Sequence, residues 1–278
     1  MAKGIGLIGN FRGKVGNMVG YNLKDSNNKQ TQGVRVYQPI VKNPKTYAQA
    51  EQRAKLAPIN ATYRALKMVI DRGQEGKAYG NKSRLAWLSA AMKAFNGGWF
   101  DKSAPITAPA LIPLTKGSLN VSFPVAAADT HCVITLATAA AEAPTTIGAL
   151  TAALIANFPA LQSGDQITFV DVTGNANGII AAVDSIVLDS ERTAALPATI
   201  TATTSAITFS GNGGKMAAGA IIVSREGNSG EHLRSTTSLQ KAAGYDADLL
   251  TDDAMEAAVR SYMAGGTSSD WAEESIPG

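Results

Sequence analysis

A single cysteine, Cys132, excludes an intrachain disulfide and a cysteine-based zinc cluster. Two histidines, His131 and His232, leave little for a metal centre, and nothing in the chain calls for a cofactor. Aromatic residues make up 6% and charged residues 17%, both low for a globular protein, so large side chains cannot supply most of the packing. No apolar run approaches the ~20 residues of a membrane-spanning helix. The start, Met1-Ala2-Lys3-Gly4-Ile5-Gly6-Leu7-Ile8-Gly9, lacks the apolar stretch of a secretory signal. These absences lead to the expectation of a protein made and folded in a reducing cytoplasm, with no membrane partner.

What is abundant is Gly, Ala and Thr, a mixture suited to sheets packed through small side chains and common in assembled structural proteins. The 278 residues suit two domains with a sizeable core. The net charge of +3 hides a division: residues 1–102 hold 18 Lys+Arg against 5 Asp+Glu, and residues 103–278 hold 7 against 17. Such asymmetry points to a polyanion partner for the basic half or to head-to-tail contact between copies.

The first hundred residues carry a glycine-punctuated hairpin and two helices. The hairpin reads as Phe11–Leu23 returning through Val34–Ile40, with the polar turn Asp25–Gln30 between. Val15, Val19, Tyr21 and Leu23 alternate with Gly16, Met18 and Gly20. Glycines within a strand weaken it unless something packs closely there. Gly13, Gly16 and Gly20 therefore mark either a twisted edge hairpin or a backbone approached by a helix, another chain or a phosphate. A helix over 46–72 follows from Pro44, the Thr46…Gln49 capping-box spacing and the stripe Ile59, Tyr63, Leu66, Ile70. Pro58 should kink or restart it. A second helix, 83–95, presents Leu85, Leu88, Met92 and Phe95 before Gly97-Gly98 stops it.

Near residue 104 the texture turns to two-residue alternation. Pro105, Pro109 and Pro113 read as a linker or edge strand. Strands are expected at 119–123, 132–136, 166–172, 178–187, 199–209 and 219–223, with a short buried helix at 146–158 ending at Pro159. Turn signals about every ten residues, Ser163-Gly164-Asp165 and Gly211-Asn212-Gly213-Gly214 among them, argue for an antiparallel sandwich or barrel. In the acidic end, Thr251-Asp252-Asp253 caps a helix carrying Met255, Val259 and Met263, and Trp271 and Ile276 stand amid acids as anchors for a neighbour.

The segment Gly13-Lys14-Val15-Gly16-Asn17-Met18-Val19-Gly20-Tyr21, with Asn43-Pro44-Lys45-Thr46 and Gln49-Ala50-Glu51-Gln52-Arg53-Ala54-Lys55, resembles an uncharacterised protein family of gut bacteria and their phages. There, a Gly-Lys-hydrophobic-Gly hairpin and an Asn-Pro-x-Thr-x-x-Gln-x-x-x-Arg helix precede an immunoglobulin-like sandwich. The resemblance covers about residues 4–70. Further on it holds only in outline, at Ser163-Gly164-Asp165-Gln166-Ile167 and Ile221-Ile222-Val223-Ser224-Arg225. It lends no activity. The residue patterns give an α+β chain with a basic hairpin-helix domain (1–103), an antiparallel β-sandwich (104–225) and an acidic tail with one helix (226–278); the resemblance implies that the sandwich is immunoglobulin-like, and the acidic tail from 235 departs from the family's pattern. The resemblance also implies synthesis in a bacterial cytoplasm.

Catalytic patterns fail when tested. Ser229, His232 and Asp246 supply the residue types of a triad without a Gly-x-Ser-x-Gly elbow. Gly211-Asn212-Gly213-Gly214-Lys215 lacks the phosphate-loop spacing. Asp252-Asp253 sits where helix capping explains it. The expectation is a protein that is not an enzyme. Its first reading is a structural protein of a phage virion, associated with itself or with other virion proteins, with Gly13, Gly16, Gly20, Trp271 and Ile276 as contact residues. The second is nucleic-acid binding, DNA included, through Arg12, Lys14, Lys24, Arg35, Lys42, Lys45, Arg53 and Lys55 with Tyr21 and Tyr37 as stacking faces. The third, a surface or adhesion module, is disfavoured by the missing export signal.

Overall fold

The computed structural model describes residues 13–24, 30–37, 46–102, 104, 106, 111–121, 123, 126–127, 132–175, 178–211, 218–227, 230–243 and 245–263. The chain is α+β and divides into two compact units, residues 1–44 and 45–278.

The small unit is a three-stranded antiparallel sheet in the order β1 (Gly13–Val15), β2 (Met18–Lys24), β3 (Gln30–Val36). The stretch read as one strand is two, because Gly16-Asn17 is a two-residue turn that sets Val15 opposite Met18. Gly16 has φ 58°, and glycine at the first central position lets such a turn match the twist of its strands. The expected turn at 25–30 lies outside the described residues except for Gln30, which opens β3.

In the large unit, α1 (Tyr47–Ala65) starts where the cap predicts: the Thr46 hydroxyl accepts from the Gln49 amide at 3.4 Å. Helix α1 runs through Pro58 and ends instead at Leu66, before the single turn α2 (Lys67–Ile70). Proline removes one helical hydrogen bond, at about 3 kcal/mol in an open helix. Here Ala54, Pro58, Ile59 and Thr62 form the buried face, and packing holds the helix across the gap. Helix α3 (Asn81–Ala94) buries Ser83, Trp87 and Ala91, while Leu85, expected inside, is exposed. Leu88, Met92 and Phe95 of the expected stripe pack half-buried beside the core, whose centre is filled by Trp87, absent from the expectation, with its indole N–H donating to Pro113 O at 2.7 Å.

The strands follow in order: β4 (Pro113–Thr115), β5 (Ala126–Ala127), β6 (Cys132–Thr135), then α4 (Ile147–Asn157), β7 (Gln166–Asn175) and β8 (Gly178–Val187). After them come β9 (Ile200–Ala202), β10 (Ala206–Phe209), β11 (Ala218–Glu226), β12 (His232–Arg234), β13 (Thr237–Ser238) and β14 (Gln240–Lys241). The strand expected at 199–209 is a hairpin, closed where Thr203 N–H donates to Ala206 O at 2.8 Å. At 119–123, Leu119 makes only an isolated bridge to Ser235. The short helix is α4, capped by the Thr146 hydroxyl.

Two antiparallel sheets result, β5-β6-β10-β9 and β12-β11-β7-β8, with β14 also on β11 and a separate β13-β4 pair. They enclose a core of Cys132, Ile134, Ile207 and Phe209 against Ile167, Phe169, Ile186, Ile221 and Val223. The opposite face of the second sheet, with Val170, Val172, Ala220 and Ile222, packs on Ile59, Leu66, Ile70 and Trp87 of the helices. Strand β11 is thus buried on both faces, which is why its first six residues, Ala218–Val223, are apolar or glycine without alternation. The boundary expected near 103 does not coincide with this arrangement, because α1–α3 and the sheet share one core. The described residues of the expected acidic tail belong to the same arrangement: β12–β14 join the sheets, and α5 (Asp252–Met263), its one α-helix among them, packs Ala258 and Val259 with Ala50, Ala54 and Trp99.

Candidate assembly surfaces

In the small unit, register fixes what each face carries. Met18 lies opposite Val36 and Gly20 opposite Val34, so these share one face, and Met18, Val34 and Val36 are 38%, 49% and 72% exposed. The other face sets Lys14 and Arg35 either side of Val19, with Tyr21 opposite Gly33. The Lys14 ammonium stands 3.6 Å from the Tyr37 ring centroid, a cation–π contact. A Cβ on Gly33 would meet the Tyr21 ring at 2.7 Å, so glycine there seats the ring flat on the sheet. None of the described residues 13–37 belongs to an apolar core cluster.

Both long edges of the molecule's sheets are open among the described residues. Strand β3 pairs only with β2. Tyr37 N–H donates to Asn17 O at 2.6 Å, so odd-numbered residues of β3 bond β2 and the amides of Val34 and Val36 turn outward. Strand β8 pairs only with β7. Leu188 N–H, in line with the strand, donates to Asp165 O at 2.8 Å, so the odd-numbered amides of β8 turn outward. Of these, Ser185 N–H donates to the neighbouring Asp184 Oδ1 at 2.7 Å. Ile180, Val183 and Val187 are each 45–46% exposed along this edge. A ten-residue, partly apolar free edge is a template for another strand.

Beside β8 lies an open cleft of about 1000 Å³, floored by Thr168, Val183, Ser185 and Ile222 and walled by Arg72, Lys77 and Arg234. Arg225 is committed to Asp165 by a bidentate pair at 2.6 and 2.8 Å, and those hydrogen bonds raise its pKa. Burial lowers the pKa of Arg234, and the neighbouring Arg72 lowers it further against the opposing charge of Glu75. Burial raises the pKa of Glu75, but hydrogen bonds from the Ser118 hydroxyl, the Ser118 amide and the Arg234 amide outweigh it and leave the value lowered. Among the described residues, no hydrogen bond joins a serine, threonine or cysteine to an imidazole, and no cluster of three or more His, Cys, Asp or Glu could hold a metal. No described helix is long and apolar enough to cross a membrane.

The sequence-selected residues scatter over these features. Lys14 and Arg35 share a face of the small sheet, and Lys24 ends β2. Arg53 is exposed on α1, and Lys55 pairs with Glu51 at 2.6 Å on the same helix. Gly13 and Gly16 have φ of 112° and 58° with open space where a Cβ would sit, so backbone conformation accounts for them, whereas Gly20 is buried opposite Gly13 and Val34. Arg12, Lys42, Lys45, Trp271, Ile276, Ser229 and the turn at 212–215 lie outside the described residues. Sequence reasoning missed the free edges. The alternation in 178–187 announced a strand, but which strand ends a sheet depends on pairing order.

The class these features define is an α+β protein with two packed antiparallel sheets, a helical layer and exposed strand edges. No family model, curated protein or solved structure matches the chain, so the immunoglobulin-like part of the expectation has no structural neighbour to stand on.

Proposed function

We propose that this chain is a non-enzymatic structural protein that works by self-association, as a subunit of a phage virion or similar assembly. The observation that carries the reading is the small unit. It is a three-stranded sheet with an exposed apolar face of Met18, Val34 and Val36 and no described residue in a core cluster. A sheet of this size needs a packed face for stability, and a partner surface supplies one. Charge supports the same reading: residues 1–44 hold 7 Lys+Arg and 1 Asp+Glu, and residues 45–278 hold 18 and 21. Opposite signs on two units of one chain steer copies head to tail, within the ~8 Å over which exposed charges act at physiological salt. Sedimentation of the full chain across micromolar concentrations should show mass rising above the 28.8 kDa of one chain. A monomer at every concentration overturns the proposal.

One arrangement favours nucleic acid as a second reading. Lys14 and Arg35 share a face with Tyr21, a pairing of phosphate-binding charge with an aromatic surface. On this reading single-stranded DNA binds with little sequence preference, and affinity falls steeply with salt. Replacing Lys14 and Arg35 by alanine flattens the salt slope. Absence of binding at low salt removes the reading.

A further inference from the structure

We infer that copies join edge to edge, strand β3 of one chain's small unit adding to strand β8 of the next chain's large unit. The inference rests on the self-association reading and names its surface. Among the described residues, strand β3 is a free edge on a strongly basic unit and strand β8 a free edge on a unit with a small acidic excess, so each copy is both donor and acceptor. On the acceptor, Val183 and Val187 line the open edge of β8, and Ile180 lies on its other face. Asp184, Asp189 and Glu191 stand against a lone Arg192 between residues 178 and 196. On the donor, Val34 and Val36 present outward amides and exposed apolar side chains, with Arg35 between them as the charge complement. Main-chain hydrogen bonds supply affinity in such strand addition, and the alternate side chains supply register. An incoming strand displaces the bond from the Ser185 amide to Asp184 Oδ1, and the hydrogen bond from the Thr199 hydroxyl to the other carboxylate oxygen keeps Asp184 in place. Because donor and acceptor differ, the contact is heterologous and closes only as a ring, or else grows as a filament.

Proline tests this without touching either internal ladder, since it removes only an outward amide and edge strands tolerate it there. In the full chain, Val34→Pro disables the donor and Ser185→Pro disables the acceptor, with circular dichroism and thermal unfolding showing that each variant still folds. Each variant alone should sediment as a monomer under conditions where the unmodified chain is larger. An equimolar mixture should give a species of twice the chain mass, since Ser185→Pro still donates and Val34→Pro still accepts. If proline perturbs folding, Val34→Lys with Val36→Lys replaces the donor variant and Val183→Lys the acceptor variant, with the same three outcomes expected. Variants that assemble as fully as the unmodified chain overturn the edge contact and leave self-association standing. An acceptor variant that fails while the donor variant still dimerises points to β8 pairing with β8, and also overturns it. An unmodified chain that is monomeric throughout fails the underlying reading instead.

Discussion

Cys132 is fully buried on β6, its thiol donating to Val170 O at 3.1 Å. Burial pushes the thiol up to about 12, and the charge of Asp171 acts in the same direction. A thiol that stays protonated and covered is inert, because the thiolate is the nucleophile. Native protein at pH 8 should therefore react with an aromatic disulfide reagent on the order of a hundredfold slower than the unfolded chain. Equal rates would contradict the burial. The same group sets a pH dependence. Its folded value is raised, so its contribution is fully present below the unfolded value near 9 and is lost as pH rises toward 12; Cys132→Ala should reduce that alkaline loss. Glu75 works in the opposite direction. Its lowered value means that its stabilisation is present above the ordinary carboxylate range and lost as pH falls through the folded value. Glu75 ties Ser118 to Arg234, so Glu75→Gln, with one acceptor oxygen in place of two, should cost about 1–3 kcal/mol in denaturant unfolding and blunt the acid sensitivity. An unchanged midpoint would contradict the clamp.

At the scale of elements, what was legible in the sequence was local. The Thr46 and Thr251 caps placed the starts of α1 and α5, and Gly178–Val187 was readable from its own residues because strand period and turn chemistry are short-range signals. What was not legible depended on tertiary neighbours. Pro58 did not stop α1, because buried packing on both sides of it outweighs one lost hydrogen bond. Trp87 takes the centre of the buried face of α3 because a partner carbonyl, Pro113 O, waits across the core, so that Leu88, Met92 and Phe95 of the expected stripe pack beside it and Leu85 is exposed. The short strands β12–β14 carry too few residues for any periodicity to show. Trp87 gives the element-scale prediction. Trp87→Phe keeps most of the volume but strands the Pro113 carbonyl, and should lower stability by about 1–3 kcal/mol. Trp87→Ala, which also leaves a cavity, should cost about 3–5 kcal/mol. Thermal unfolding ranks the two, and an unchanged midpoint in Trp87→Phe would mean that the indole hydrogen bond contributes nothing.

Across the whole molecule, the described residues of the large unit build apolar cores, and those of the small unit join none of them. Three apolar clusters hold the described sheets and helices of residues 45–278 together, while the described part of residues 1–44 exposes apolar side chains on one face and charge with aromatic rings on the other. The charge division visible in the sequence is sharper at the expected boundary of 103 than between these two units, since the basic helices after residue 45 belong to the larger one and offset its acidic end. Positive φ accounts for Gly13, at the start of β1, and for Gly16, in the β1–β2 turn, so the proposed contact is placed on strand edges instead of on these glycines. The central claim is that copies associate through those edges. Amide hydrogen exchange of the full chain, measured as concentration rises, tests it most directly. The outward amides of Val34 and Val36 on β3 and of Val183 and Val187 on β8 should gain protection together, over the concentrations at which mass increases. Exchange in both segments that stays constant while mass increases would contradict the account.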